Sequence, residues 1–196
     1  MRADARKNYD RLLAVGRDVV TEQGAEASLR DVARRAGVGL GTLYRHFPTR
    51  EALLEALLRT NVDELTAQAA DRETSSTPED ALVLWLRDSV ALTHQYRGVA
   101  ALLTAAMEDT ESALYSSCIA LHDAGTRALD RAHAAGDARA DIDGTDLFAL
   151  VAALAWLYDQ PALAHRADHL FGVISSTVLT GQAGRGDSQE RPRARR

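Results

Sequence analysis

Cysteine is nearly absent from this chain, which has one in 196 residues. A single cysteine cannot form an internal disulfide, so the chain is not a small secreted module held together by such bonds. Cys118 lies within an apolar pattern of helical spacing. Cysteine usually acts there as a small hydrophobic side chain, and we predict a buried residue rather than a nucleophile.

Long apolar runs are also missing. No segment approaches the roughly 20 apolar residues that span a bilayer, and the N-terminal sequence MRADARKNYDRLL has no apolar stretch of the kind found in a signal peptide. Hydrophobic residues make up 46% of the chain and charged residues 26%, which is ordinary for a globular protein in water. We therefore expect no membrane partner and a cytoplasmic location.

The sequence lacks the common motifs of catalysis and metal binding. It has no P-loop, no GxSxG, no HExxH and no pair of cysteines with metal-ligand spacing. His165 and His169 are four residues apart with Asp168 between them, a pair that can ligate a metal but is more common on a helix surface. We predict no catalytic residue, no metal and no cofactor.

Segments typical of β-strands are absent as well. The apolar segments are rich in alanine and leucine and are longer than the usual 4–8 residues of a strand. The sequence therefore predicts an all-α fold.

A basic surplus is missing from the chain as a whole, whose net charge is −5. Residues 1–60 nevertheless hold 11 Lys and Arg against 8 Asp and Glu, residues 61–180 hold 7 against 18, and residues 181–196 hold 5 against 2. A basic end and an acidic middle would orient the protein on a polyanion, because phosphate repels the acidic part. The alternative is that both regions are merely solvated surfaces.

The most informative stretch is SLRDVARRAGVGLGTLYRHFPTRE, residues 28–51. Ser28 and Asp31 are placed as an N-cap pair for a helix that runs to about residue 36. Gly37 can take the left-handed conformation that ends it, and a second helix then covers residues 40–47. This spacing is typical of a helix-turn-helix, whose second helix enters the DNA major groove.

Within this stretch, AGVGLGTLYRHFPTREALL resembles the signature of the tetracycline-repressor (TetR) family. Tyr44, Phe47 and Arg50 together are more than a generic helix-turn-helix requires. The resemblance covers about the first 60 residues. The family usually has Ser or Thr as the cap of the recognition helix, where this chain has Gly39, so a hydroxyl contact with phosphate is lost here.

The predicted recognition helix assigns roles to its residues. Leu40 is placed to meet a thymine methyl group, Gly41 permits close approach of the backbone, and Thr42 can meet base edges or phosphate. The resemblance implies phosphate contacts for Tyr44, His46 and Arg50. The full predicted DNA-binding set is Ser28, Arg30, Gly39, Leu40, Gly41, Thr42, Tyr44, Arg45, His46 and Arg50.

Beyond the predicted recognition helix, a long helix from Thr49 to about Glu73 would connect two domains. Thr77, Pro78 and Asp80 then form a strong helix-start signal. Further helices are predicted over residues 78–97, 99–109, 112–135, 145–159 and 165–179. We divide the chain into a helix-turn-helix domain (1–48), a helical ligand-binding and dimerisation domain (49–180, with 49–73 as the connecting helix) and a disordered basic tail (181–196). The tail is either inert or a source of nonspecific attraction to DNA.

The resemblance implies a homodimeric repressor that binds an inverted-repeat operator in double-stranded DNA and leaves it when a small-molecule effector binds. The helix over residues 145–159 is apolar nearly all round and would form the dimer interface with residues 165–179. Residues that mix apolar and polar character on successive helices form the predicted ligand site, with ordinary core packing as the alternative: Trp85, Tyr96, Met107, Tyr115, Cys118 and His122.

Two other functions stay open at this point. The same fold without a switch would be a constitutive DNA-binding protein, recognised by a body that has no cavity. A small helical enzyme or cofactor-binding bundle would instead carry a bound coloured cofactor or metal and bind no DNA.

Overall fold

The structure is a computed structural model that describes residues 2–96 and 99–180, with side chains described at these positions except 2–4, 100 and 101. The regular elements of these residues are helical apart from one isolated bridge between Ala138 and Leu179, which confirms the all-α prediction. The predicted tail, residues 181–196, lies outside the described residues, as does the helix stop predicted at Gly98. The α-helices are α1 (Arg2–Gln23), α2 (Leu29–Arg35), α3 (Leu40–His46), α4 (Arg50–Ser75), α5 (Pro78–Gln95), α6 (Ala100–Glu108), α7 (Tyr115–Ala135), α8 (Gly144–Asp159) and α9 (Ala167–Val178).

The first three helices form the head. The glycine predicted to end α2 does so, because Gly37 has a φ of 65°, a conformation that side chains with a Cβ rarely adopt. The predicted cap of α2 is different from the one observed. The Ser28 side chain makes no cap hydrogen bond. Gln23 accepts from the Ser28 amide at 3.2 Å, the role that Asp31 would have in a capping box, and donates to the Asp31 carboxylate at 3.1 Å.

Helix α4 is one continuous rod of 26 residues, about 39 Å long. Thr49 caps its start as predicted, since the side chain accepts from the Ala52 amide at 3.1 Å. Seven apolar residues of α4 are buried, from the head end to the body end: Leu53, Leu54, Leu57, Leu58, Val62, Leu65 and Ala69. The rod therefore belongs to one apolar core that continues from the head into the body.

The body consists of α5 to α9 packed around the second half of α4, with α7 in contact with α4, α5, α6 and α8. Thr77 caps α5 as predicted, accepting from the Asp80 amide at 3.1 Å. Helix α7 ends at Gly136, whose φ is 76°. Helix α8 starts with a capping box in which Asp143 accepts from the Asp146 amide and Asp146 accepts from the Asp143 amide.

Two boundaries differ from the predicted ones. Helix α7 begins at Tyr115 rather than at residue 112, because residues 109–114 form turns. Helix α9 begins at Ala167, after a short 3₁₀ turn over Ala164–Arg166 that contains His165. His165 and His169 are thus in different elements, although the sequence places them in one helix. In the ranges that the structure describes, no helix combines the length and the hydropathy needed to cross a membrane.

Candidate nucleic-acid interface and interior cavity

The inner face of α3 is fixed against the head. Leu43 and Phe47 are buried, as predicted. The ring of Tyr9 on α1 stacks on Phe47 with 5.2 Å between centroids and meets His46 edge-on at 5.9 Å. These contacts hold the helix in one orientation, so its other face is presented to solvent as a rigid surface.

The outer face of α3 is open. Tyr44 is 44% exposed, and Gly39 and Gly41 have nothing within 4 Å of the position where a Cβ would stand. Gly39 has extended backbone angles and precedes the first turn without a side-chain cap. The first turn of α3 therefore offers uncovered backbone to a flat or grooved partner.

Arg45 lies along the surface of its own helix. Its Nε donates to the Gly41 carbonyl at 3.2 Å, and its Nη2 donates to Thr42 Oγ1 at 3.3 Å. A guanidinium held against the first turn is close to the backbone that the glycines leave open. Leu40 and Thr42 are half-buried between these groups and the head.

Arg50 is engaged in ion pairs within the head, although the sequence predicts that it contacts phosphate. It forms ion pairs with Glu26, from the segment before α2, and with Glu51 at 3.3 Å. The hydrogen bond to Glu26 is the main reason why the pKa of the guanidinium is raised above its ordinary value. By contrast, Arg30 is exposed and has no ion pair within the described part of the chain, and Ser28 is also exposed.

The other arginines of α2 are engaged with acids. Arg34 pairs with Asp31, and Arg35 pairs with Glu22 at 2.8 Å and with Asp31 at 3.0 Å. The hydrogen bond from Arg34 is the largest cause of the lowered pKa of Asp31. Three arginines of the head are thus neutralised by acids, whereas Arg30 and Arg45 are among the cations that have no acidic partner within the described residues.

Two small cavities lie in the body, each of about 20 Å³, and the outer one reaches the surface at the exposed Thr104. That volume holds roughly one water molecule. The inner cavity is bounded by α4, α5, α6, α7 and α8, and shares part of its wall with the outer one. Its lining residues are Val62, Ser89, Leu92, Thr93, Leu103, Cys118, Leu121, Phe148 and Val151, and the outer cavity adds Thr104 and Ala152.

Of the six residues predicted to line a ligand site, Cys118 lies on the inner cavity. Burial raises the pKa of its thiol to about 11. Trp85 is buried against α7, and Tyr96 is buried with its hydroxyl accepting from Asn61 at 2.7 Å. The His122 ring is 5.9 Å from that of Phe148, which lines both cavities. Met107 and Tyr115 are half-buried and line neither of them.

Sequence reasoning missed the residues that shape this cavity. Ser89 and Thr93 are on α5, Phe148 and Val151 on α8, and Leu103 on α6. The available signal was that Ser89 and Thr93 are polar positions on the otherwise apolar face of α5, four residues apart. The sequence could not predict which residues share the cavity wall, since this depends on how five helices pack.

A larger cleft of about 470 Å³ opens to solvent between α5, α8 and α9. Arg87 lies over the ring of Phe171 at 5.0 Å, and the Tyr158 hydroxyl donates to Asp168 at 2.6 Å. Burial and then this hydrogen bond raise the pKa of Tyr158 to about 12. The cleft has a cation, a histidine and a carboxylate in its wall, whereas the interior cavities have no charged side chain.

Helices α8 and α9 carry an uncovered apolar face. Trp156 is 57% exposed and Val173 is 46% exposed, and Leu163 between the helices is also exposed. On α8, Ala149 and Ala153 share the exposed side with Trp156 at helical spacing. No three His, Cys, Asp or Glu side chains lie close enough to hold a metal ion anywhere in residues 2–96 and 99–180.

Comparison with known proteins finds similarity along most of the chain. Residues 12–57 match the family described as bacterial regulatory proteins, tetR family, and residues 77–177 match the family described as transcriptional regulator SbtR-like, C-terminal domain. The crystal structure of a TetR transcriptional regulator from Streptomyces coelicolor is 35% identical, covering 87% of this chain and 98% of that one with a TM-score of 0.64. A TetR transcription regulatory protein from Mycobacterium vanbaalenii is 31% identical, covering 91% and 98% with a TM-score of 0.61.

An HTH-type transcriptional regulator from Staphylococcus aureus (strain MRSA252) is 37% identical over 73 residues, which are 36% of this chain. The match spans 38% of the length of that curated relative.

Proposed function

Because the chain belongs to the TetR family of bacterial transcriptional regulators, we propose that it is a homodimeric repressor released from an inverted-repeat operator by a small, largely apolar ligand. It is a regulator with a helix-turn-helix DNA-binding domain rather than an enzyme. One observation carries the proposal for the DNA-binding surface: the first turn of α3 is open on its outer face, while Leu43 and Phe47 are buried and the end of the helix packs on Tyr9 of α1.

The DNA contacts follow from this exposed surface. Leu40, Gly41 and Thr42 meet base edges in the major groove, with Gly39 and Gly41 allowing the backbone to come close. Tyr44, Arg45 and His46 flank them and reach the phosphate backbone. Ser28 and Arg30 at the start of α2 supply phosphate contacts on the other side of the turn.

Helix α3 has seven residues, about 10 Å, and reads only a few base pairs. Specific binding therefore requires two copies of α3, which a two-fold symmetric dimer presents to adjacent major grooves. The exposed apolar face formed by α8 and α9 supports this arrangement, because two such faces would form a four-helix interface.

The experiment that tests the DNA proposal is selection of bound duplexes from a random library with the full-length protein. The expected result is an inverted repeat whose half-sites are about one helical turn apart, or a multiple of it. A matched selection with Thr42→Ala should shift the preferred bases within each half-site. Recovery of no consensus, or of a single half-site, would contradict the dimeric readout.

Release by a ligand is supported by the position of Val62. This residue belongs to α4 and lines the inner cavity, so a molecule that widens the cavity must move the rod that carries the head. A small rotation of α4 changes the distance between the two recognition helices, which then no longer fit adjacent grooves. A hundredfold loss of DNA affinity needs a preference of about 2.7 kcal/mol for the DNA-incompetent arrangement.

The small size of the cavity favours a second candidate, a constitutive DNA-binding protein. Two spaces of about 20 Å³ hold no effector without rearrangement. The two candidates differ in one measurable property: a repressor with a switch has a compound that lowers its DNA affinity, and a constitutive binder has none.

A further inference from the structure

Two fully buried side chains of α5 each carry a polar atom with no hydrogen-bond partner among the described residues. Ser89 is 3% exposed and Trp85 is 1% exposed. Neither Ser89 Oγ nor Trp85 Nε1 has a partner among the described residues. A buried polar atom left unpaired costs roughly 1–3 kcal/mol, so two of them on one helix face require an explanation.

Both side chains are on the same face of α5. They are four residues apart, one helical turn. Ser89 lines the inner cavity, whereas Trp85 lies beside it and lines neither cavity in this packing. The six-membered ring of Trp85 faces α7 at Gly125, where a Cβ would lie only 2.4 Å from Trp85 Cζ2. A widening of the space between α5 and α7 would therefore expose the edge of the indole together with the Ser89 hydroxyl.

The neighbouring Thr93 is different, although it lines the same cavity. Its hydroxyl donates to the Ser89 carbonyl at 2.9 Å, so it is already satisfied within the helix. The unpaired groups are thus an indole N–H, which only donates, and a serine hydroxyl, which donates or accepts. The partner that satisfies both is a hydrogen-bond acceptor.

The other residues of the cavity wall restrict the charge that a bound ligand can have. Both cavities are lined by apolar side chains with Ser89, Thr93, Thr104 and Cys118 as the polar ones, and by no charged residue. Burial of an unpaired charge there would cost far more than a hydrogen bond returns. A carboxylate or an ammonium group is therefore excluded from this part of the ligand.

We propose that the effector is a neutral, mostly apolar molecule whose carbonyl or ether oxygen accepts hydrogen bonds from Ser89 Oγ and Trp85 Nε1. This inference rests on the proposed function, since it identifies the ligand class of the same body cavity. Ser89 would then make the cavity prefer a molecule with a hydrogen-bond acceptor over a hydrocarbon of the same shape.

The experiment uses two probes of nearly identical shape, cyclohexanone and methylenecyclohexane, which differ by C=O against C=CH₂. The full chain is labelled with ¹⁵N, and the indole signals of its two tryptophans are followed during titration. The Trp156→Phe variant assigns the Trp85 signal. Cyclohexanone should move the Trp85 indole proton downfield, and methylenecyclohexane should not.

The Ser89→Ala variant then tests the donor. It should lower the affinity for cyclohexanone about fivefold, the effect of one neutral hydrogen bond, and change that for methylenecyclohexane less than twofold. Thr93→Val is the matched control, because its hydroxyl is already engaged with the backbone. It should not change the ratio of the two affinities.

The possible failures are distinguishable. If Ser89→Ala lowers both affinities by the same factor, Ser89 and Trp85 share a buried water rather than a ligand oxygen; the acceptor proposal is then wrong and the cavity remains a ligand site. If neither probe binds near its solubility limit, both the acceptor proposal and the body cavity as effector site are overturned. The DNA-binding part of the proposed function is tested separately by duplex selection.

Discussion

At the scale of single residues, the surroundings of a side chain determine its charge and its partners, which the sequence does not reveal. Cys118 and Arg50 illustrate this in opposite directions. Cys118 lies in an apolar cavity wall that favours the neutral thiol. Arg50 forms ion pairs with two carboxylates. They favour its charged form and engage the guanidinium within the head.

The Cys118 thiol should be unreactive in the folded protein. Its raised pKa, about 11, leaves little thiolate at pH 8, and its side chain is 2% exposed. Since the folded pKa lies above that of an exposed thiol, the associated stabilisation is complete below about pH 8.5 and is lost as the pH rises toward 11. A thiol reagent at pH 8 should therefore react at once in denaturant and only slowly in buffer; equally fast reaction in both would contradict the buried placement.

Arg50 and Arg30 should differ in their effect on the salt dependence of DNA binding. Arg30 has no acidic partner among the described residues, so Arg30→Ala should reduce the slope of log K against log salt by about 0.9, the value for one phosphate contact. Arg50→Ala should produce the same change only if the guanidinium leaves Glu26 for DNA. The Glu26→Gln variant is the control, because it removes one of the two ion pairs of Arg50 and should then increase affinity for all duplexes. An unchanged slope for both arginine variants would contradict their assignment as phosphate contacts.

At the scale of elements, α4 determines how the head and the body are connected. It is tied to the body by polar contacts along its length as well as by its buried leucines. Asn61 donates to the Tyr96 hydroxyl at 2.7 Å, and Ser117 donates to Asp63 at 2.6 Å. Nearer its end, α4 pairs with α5 through Arg72 and Asp88 at 2.6 Å, and with α7 through Glu73 and Arg127 at 3.0 Å. We therefore expect a movement of α5 or α7 to shift the rod.

The helix caps provide a test of element stability. Asp143 accepts from two amides of the first turn of α8 and forms a reciprocal capping box with Asp146. Asp143→Ala should cost about 1 kcal/mol, which lowers the melting temperature by roughly 2–4 °C in a chain of this size. Ser28→Ala is the matched control, since the Ser28 side chain makes no cap bond. Scanning calorimetry should show a shift for the first variant and almost none for the second; similar shifts for both would contradict the observed caps.

At the scale of the whole molecule, charge and apolar surface are unevenly distributed. The acidic residues are concentrated between residues 61 and 180, away from α3 in the sequence, while the exposed tryptophan lies on α8. Phosphate repels acidic surfaces and an exposed apolar face is typical of an interaction site, so both features favour the proposed dimer with its two heads on the duplex.

The dimer should separate when a charge is placed on its interface. Trp156→Glu puts an unpaired carboxylate in the centre of the proposed four-helix contact, and sedimentation at micromolar concentration should change from dimer to monomer. Leu84→Glu is the control, because Leu84 is an exposed apolar residue on α5 that should remain outside the interface. A wild-type chain that sediments as a monomer would contradict the proposal itself.

Ligand and DNA should weaken each other by the same factor. A compound found by thermal-shift screening is titrated against the fluorescence of the two tryptophans, with and without the selected operator. If the ligand lowers DNA affinity a hundredfold, DNA must lower ligand affinity a hundredfold, because the two binding free energies are linked. Equal ligand affinity in both titrations would exclude induction by that compound.

Features that depend on near neighbours in the chain were determined by the sequence alone. The helices, the left-handed Gly37, the caps at Thr49 and Thr77 and the continuous α4 all follow from residues within one or two turns of each other. The recognition motif has the same property, which is why the family is evident from about 20 residues. The division at residue 48 and the individual DNA contacts stay predictions.

Tertiary packing decided the features that join residues distant in the chain. Gln23 rather than Asp31 accepts from the Ser28 amide at the start of α2, and Glu26 reaches Arg50 across 24 positions. The cavity wall combines side chains from five helices, so of the six residues predicted from composition one lines it. Such contacts depend on the angles and distances between helices, and small differences in packing change them without changing any local pattern in the sequence.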